Sequence, residues 1–406
     1  MTTHPVLDPP VAPARYRTLL AAPHIARLLT GAIVGHLPVA MAPLALLQVV
    51  RADGGSLTTA SLLAALYGLG AALGQPIWGR VLDRHGPARA LLTTCGTSTL
   101  AFTALACLST DHQLAVATVL TVVAAVFTPP LEAAARVLWP KVTTTEDEFR
   151  AVLSLDASAQ EVVFIAGPLL VLGTSAAAGP HATLFAAALI GIAGTLAFLT
   201  APPARTRHIP DRGAMARGSW LGPLYAPGPR ALALALLGAG VALGALNVAA
   251  LELADAHASP ALATLIPAAL AVGSLTGGLV YGRRRWPGPA WAHLLTASCG
   301  LLSGLVLFTA GPSPALTVLA AVAPGMFLAP LLVMVFASLD HLTLPGTVGE
   351  AAATMIACLG LGQAAGTALA GADTVTPTTI ALMGGAATCL TVAARRRSLA
   401  EPAQHA

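Results

Sequence analysis

Charge is what this sequence has least of. Only 9% of its 406 residues are Asp, Glu, Lys or Arg, against about 25% in an ordinary soluble domain. So few charges cannot cover the surface of a water-soluble protein of this size. Disorder is excluded as well, because disordered chains combine low hydrophobicity with high net charge, and here 56% of residues are apolar. Lysine is nearly missing. The single Lys141 follows Pro140, so the phosphate loop G-x-x-x-x-G-K-[ST] cannot be formed and a built-in ATPase is not expected. H-E-x-x-H and G-x-S-x-G are both absent. The five cysteines (Cys95, Cys107, Cys299, Cys358, Cys389) form no C-x-x-C pair, so neither a zinc site nor a disulfide framework is indicated. The sequence predicts no enzyme, no cofactor and no metal.

What is there is long apolar runs. A helix needs about 20 apolar residues to cross the hydrocarbon core of a bilayer. Twelve stretches qualify: 28–50, 57–79, 89–109, 113–137, 151–174, 181–201, 230–252, 260–282, 291–311, 313–337, 347–371 and 375–394. These are expected to be α-helices, since lipid leaves open backbone groups without partners. The predicted fold class is an all-α membrane protein of twelve spans in two pseudo-symmetric six-helix halves. Its parts are a tail at 1–27, a first bundle at 28–201, a linker at 202–229, a second bundle at 230–394 and a tail at 395–406. No cleavable signal peptide is expected in the proline-rich start.

Basic residues in short loops stay on the cytoplasmic side. Placing both termini inside puts 20 of the 21 Lys and Arg inside and leaves Arg51 outside. The net charge of +4 therefore reports topology rather than a nucleic-acid surface. Trp78, Trp139, Trp220, Trp286 and Trp291 fall near the same ends of the spans, as interfacial anchors do. The halves also repeat. Gly31-Ala-Ile-Val-Gly35-His-Leu-Pro-Val-Ala in span 1 parallels Gly240-Val-Ala-Leu-Gly244-Ala-Leu-Asn-Val-Ala in span 7. Phe127-Thr-Pro-Pro130-Leu131 parallels Phe327-Leu-Ala-Pro330-Leu331, and Gly79 parallels Gly278. Paired helices interrupted by Gly and Pro point to a cavity between repeats, or to close helix packing alone.

After span 2 comes Gly79-Arg80-Val81-Leu82-Asp83-Arg84-His85-Gly86-Pro87-Ala88-Arg89. It resembles the major facilitator superfamily signature G-x-L-x-D-R-x-G-R-x-x, with Pro87 in place of the second arginine. Gly35 to Met41, Pro129-Pro130-Leu131 with Arg136, and Gly277 to Gly282 resemble a bacterial, actinobacterial-type branch of unassigned substrate. Of the drug exporters' G-x-x-x-G-P-x-x-G-G in helix 5 only Gly167-Pro168 matches, and their helix 4 pattern R-x-x-Q-G is absent. The resemblance implies transport by alternating access. It also implies a cytoplasmic gate of Gly79, Asp83, Arg84, Gly86, Arg89, Glu132, Arg136 and Glu350, in which Arg136 engages Asp83 and Asp83 engages the start of helix 11.

Ionisable groups within spans are costly and default to functional hypotheses. Glu161 lies about 15 Å into span 5 and is the predicted protonation or substrate-cation site, assisted by Asp156. A purely structural hydrogen-bonding role for Glu161 stays open. Glu132 and Arg136 are four apart and can pair on one helix face. His36 is a candidate proton relay or a packing histidine. Gln160 and Asn247 are candidate cavity contacts, and Gly167-Pro168 a helix-shaping pair. The expected function is proton-coupled efflux of a small molecule by antiport. Uptake by symport, or a non-transporting sensor on the same fold, are the alternatives. Expected partners are the small-molecule substrate, the proton and the lipid bilayer, with no nucleic acid, in a monomer.

Overall fold

The computed structural model describes residues 16–22, 24–110, 112–205, 222–259, 261–284, 286–311, 313–343, 347–371 and 375–400. Arg207, Pro210, Asp211, Arg212, Arg217 and Trp220 of the expected linker, Arg285, and both tail ends at 1–15 and 401–406 lie outside the described residues. Among those described there are twelve helices long and apolar enough to cross a membrane. They are α1 (Ile25–Ala52), α2 (Leu57–His85), α3 (Pro87–Cys107), α4 (Leu114–Val142), α5 (Glu146–Ala178) and α6 (Pro180–Leu199), then α7 (Pro227–Ala256), α8 (Leu262–Arg283), α9 (Ala290–Thr309), α10 (Pro314–Leu339), α11 (Val348–Ala370) and α12 (Pro377–Ala394). Each matches one apolar run of the sequence.

The boundaries move where polar residues belong to a helix. The sequence places the start of α5 at residue 151, whereas the helix begins at Glu146. Thr145 caps it, accepting from the Glu148 amide at 3.2 Å. Glu146, Asp147 and Glu148 then fill the first turn, where negative charge is favoured by the helix dipole. Hydropathy alone hides such a turn. α4 is broken into Leu114–Val126 and Leu131–Val142. Pro129 and Pro130 supply no amide and push the preceding residue out of the helical region. The Trp78 indole of α2 donates to the freed Val126 carbonyl at 2.9 Å, satisfying a group that lipid could not.

The two halves pack by the same scheme. α1 lies on α6 and α5 as α7 lies on α12 and α11, and α3 lies on α6 as α9 lies on α12. The halves meet where α2 packs on α11 and α5 on α8. The glycines that repeat in sequence do not repeat in neighbour. Gly31 faces Phe198 of α6, whereas Gly240 and Gly244 face Leu359 and Gln363 of α11. The closest approach in the first half is Gly35 against Gly194, where a Cβ on Gly194 would sit on the backbone of α1. Gly194→Val is therefore expected to cost about 1–3 kcal/mol or more through overpacking. Gly96→Ala, with open space around it, is expected to leave stability unchanged. Thermal unfolding midpoints in detergent, followed by size-exclusion fluorescence, check the pair.

Helix ends alternate between two faces. One carries Arg84, Arg89, Lys141, Arg205, Arg230, Arg283, Arg284 and Arg395 to Arg397, and the other carries Arg51. At the arginine-rich face the halves are in contact. α5 is buried at nearly every position from 151 to 159, and α11 at nearly every position from 349 to 357. Toward the other face both helices lose their neighbours. Only Val163, Gly167 and Val171 of α5 stay buried, with Gly167 against Ala40 of α1. Only Gly362, Gly366 and Ala370 of α11 stay buried in its second half, with both glycines against α7. A helix covered on one stripe alone has neighbours on one side only. The halves are thus closed at the arginine-rich face and parted toward the other.

Candidate functional site

Four ionisable side chains of the first half form a continuous buried chain. His36 of α1 places Nε2 3.1 Å from Oε1 of Glu132 on α4. Arg136, one turn further along α4, donates from Nη1 to Oε2 of the same Glu132 at 3.2 Å. Its Nε lies 3.4 Å from Oδ2 of Asp156 on α5. Arg136 and Asp156 are 6% and 2% exposed, so neither charge is shared with bulk water. A buried charge of this kind persists only when paired, and here one guanidinium bridges two carboxylates. The break in α4 places the chain, since Leu131–Val142 begins one residue before Glu132. The other face of the guanidinium lies against the ring of Phe336 on α10, with Cζ 3.4 Å from the ring centroid.

Nearer the arginine-rich face, a second set joins the halves. Asp83 at the end of α2 accepts from the Gly349 amide at 3.0 Å and the Glu350 amide at 2.7 Å. These are amides of the first turn of α11, where helices leave donors unpaired and favour negative charge. Gly349 is required there, because a Cβ at that position would meet the Asp83 carboxylate. Gly79 lets α2 rest directly on Gly349, Glu350 and Ala353. Arg80 pairs with Glu350 across the same seam. On the α5–α8 seam Ser154 donates to the Gly278 carbonyl, and the Tyr16 hydroxyl to the Leu279 carbonyl at 2.7 Å.

The placement corrects several sequence expectations. Arg136 does not engage Asp83. It is held between Glu132, to which Nη1 donates, and Asp156, which it meets as an ion pair, its buried Nε making no hydrogen bond. Asp156 turns toward Arg136 of α4 rather than along the face of Glu161, since residues five apart on a helix point about 140° from each other. Glu161 itself is half-buried, and the buried Ser274 hydroxyl of α8 has no hydrogen-bond partner. Arg84 and Arg89 are exposed and make no ion pair among the described residues. Gly86 joins α2 to α3 at φ 85°, a left-handed turn that favours glycine. The Gln160 amide oxygen is buried without a hydrogen-bond partner. Asn247 is exposed on α7. Pro168 sits inside an unbroken α5, with Gly167 providing the contact to α1. The sequence reading missed Arg80 as the partner of Glu350, Phe336 on Arg136, and the serines of α5. The i, i+4 spacing of Ser154 and Ser158 was a signal for the last of these.

The Major Facilitator Superfamily model matches residues 28–366. The chain belongs to that superfamily. A search of curated proteins returned no match. Among solved structures, a bacterial homologue of the iron transporter ferroportin in an outward-facing state with soaked iron is 15% identical. It covers 92% of this chain and 98% of its own, with a TM-score of 0.70. The transporter FucP in an outward conformation is 14% identical over 92% and 98%, TM-score 0.70. The human organic anion transporter MFSD10 (TETRAN) is 16% identical over 92% and 97%, TM-score 0.68. At such identities the likeness is one of fold. The protein is a multi-pass membrane transporter of the Major Facilitator Superfamily, with the twelve-helix architecture expected from its sequence.

Proposed function

We propose that this superfamily member is a proton-coupled secondary transporter that exports a small molecule across a bacterial plasma membrane by antiport. The observation that carries the reading is the buried chain His36–Glu132–Arg136–Asp156. Its two carboxylates are in contact with one arginine and one histidine, so a proton entering or leaving changes the pairing of every member. Coupling requires such a change to be felt differently by two states of the carrier. The contacts of Asp83 and Glu350 serve as the gate of the arginine-rich face, which the basic residues assign to the cytoplasm. The state described here is then outward-open. Glu161, with no ion pair among the described residues, is the carboxyl offered to a substrate cation.

Uptake by symport is the second reading, favoured by the fold shared with the E. coli fucose:proton symporter. Proteoliposomes with an acidic lumen and a pH-sensitive dye discriminate the two. Organic cations, organic anions and hexoses are added in turn. Antiport is expected to dissipate the gradient as the substrate enters, whereas symport requires the proton and substrate to move together. Glu161→Gln is expected to slow cation-driven dissipation about tenfold, roughly the loss of one charge-assisted contact. Unchanged pH-driven transport in that variant would remove Glu161 from the mechanism. No response to any gradient or compound would leave a sensor role in its place.

A further inference from the structure

Every charged partner of Arg136 belongs to the first half, yet its guanidinium face rests on the second. Phe336, 7% exposed, packs its ring at 3.4 Å from Arg136 Cζ. Separating the halves at the arginine-rich face must pull α10 from α4 and break this contact. We propose that Phe336 is the positioning residue through which the charge of the His36–Glu132–Arg136–Asp156 chain acts on closure of the arginine-rich face. The proposal rests on the reading of that chain as the site of proton uptake.

The sign follows from electrostatics. An aromatic face attracts a cation through its quadrupole, most strongly where water is excluded. With Glu132 and Asp156 both ionised, two carboxylates offset most of the guanidinium field at the ring. Protonating either carboxylate uncovers that field and tightens the contact. Low pH therefore favours the closed arginine-rich face. The groups facing Arg136 are His36 from α1, Glu132 from its own helix and Asp156 from α5, with the uncharged ring of Phe336 from α10. From α2 and α11 come Arg80, Asp83 and Glu350, which are engaged with one another. Because the Asp83 contacts to α11 hold the same face, the test must separate them from the ring.

Spin labels at Glu146→Cys and Arg284→Cys, on a background with the five native cysteines replaced, report the α5–α8 separation at this face in lipid nanodiscs. Lowering the pH from about 8 to 5.5 is expected to raise the closed-to-open ratio about threefold or more, a fraction of the full strength of a desolvated cation–π contact. Phe336→Leu keeps the apolar bulk and is expected to flatten this response. Phe336→Tyr keeps the ring and is expected to retain it. Asp83→Asn is expected to shift the ratio at both pH values while preserving the response. A full response in Phe336→Leu, or equal loss in Phe336→Leu and Phe336→Tyr, overturns the role of Phe336 and leaves proton uptake standing. No pH response in the unsubstituted chain, with the labelled protein monodisperse, overturns both.

Discussion

Arg136→Ala is expected to be the most damaging single substitution in the protein, costing about 3–5 kcal/mol of stability and abolishing gradient-driven transport. The cost comes from what is left behind. Glu132 and Asp156 would remain as buried carboxylates without a cation, and His36 would inherit Glu132 alone. Removing one member of a buried ionic set strands the others, whereas removing the whole set together is much milder. The triple variant Glu132→Gln, Arg136→Met, Asp156→Leu is therefore expected to recover much of the lost stability without recovering transport. Thermal midpoints of the single and triple variants, measured side by side in detergent, check the claim. Equal midpoints for Arg136→Ala and the unsubstituted chain would show that the ion pairs contribute nothing. A triple variant as unstable as the single one would show that the damage is packing rather than stranded charge.

Asp83→Ala is expected to leave global stability nearly unchanged and to move the balance between conformations about tenfold or more toward an open arginine-rich face. The Asp83 carboxylate bonds two amides of α11 only while the halves touch. Its hydrogen bonds to a charged acceptor, about 1.5–3 kcal/mol in all such cases, therefore belong to one state of the carrier. Loss of a contact made in one state alone shifts a population rather than the fold. A cysteine at Ala353, fully buried under Gly79 in the closed state, supplies the measurement. Its labelling by an aqueous maleimide is expected to accelerate about tenfold in the Asp83→Ala background. An unchanged labelling rate would mean that these two hydrogen bonds do not hold the face shut.

How much of this was legible in the sequence depended on whether a feature is local. Apolar runs are local, so all twelve spans could be read, and the errors of a few residues fall where charged turns such as Glu146 to Glu148 extend a helix. The pairing of Glu132 with Arg136 is also local, since residues four apart share a helix face. The attachment of Asp83 to α11 was readable through the loop signature, which carries a tertiary contact in a short motif. The second partner of Arg136 was not. Asp83 and Asp156 are both acids near its level in the bilayer, and choosing between them needs the rotation of α4 and α5 about their axes. The break at Pro129 and Pro130 sets that rotation for α4, and nothing in the spacing of α5 reveals its own. Phe336 was invisible for a related reason, because an aromatic residue in an apolar helix looks the same whether it faces lipid, core or a cation.

The buried chain lies almost wholly within one half, and this has an electrical consequence. With Glu132 and Asp156 ionised and His36 neutral, the four groups carry one net negative charge inside the membrane. Taking up a proton brings them to neutrality. A membrane voltage does work on net charge, about 2.3 kcal/mol for each elementary charge moved through 100 mV. The proton-free form of the chain is therefore the form on which voltage acts, and the protonated form crosses the same field at little electrical cost. In the proton-coupled reading, the protein's own contribution to a turnover current sits on α1, α4 and α5, and any charge on the substrate adds to it.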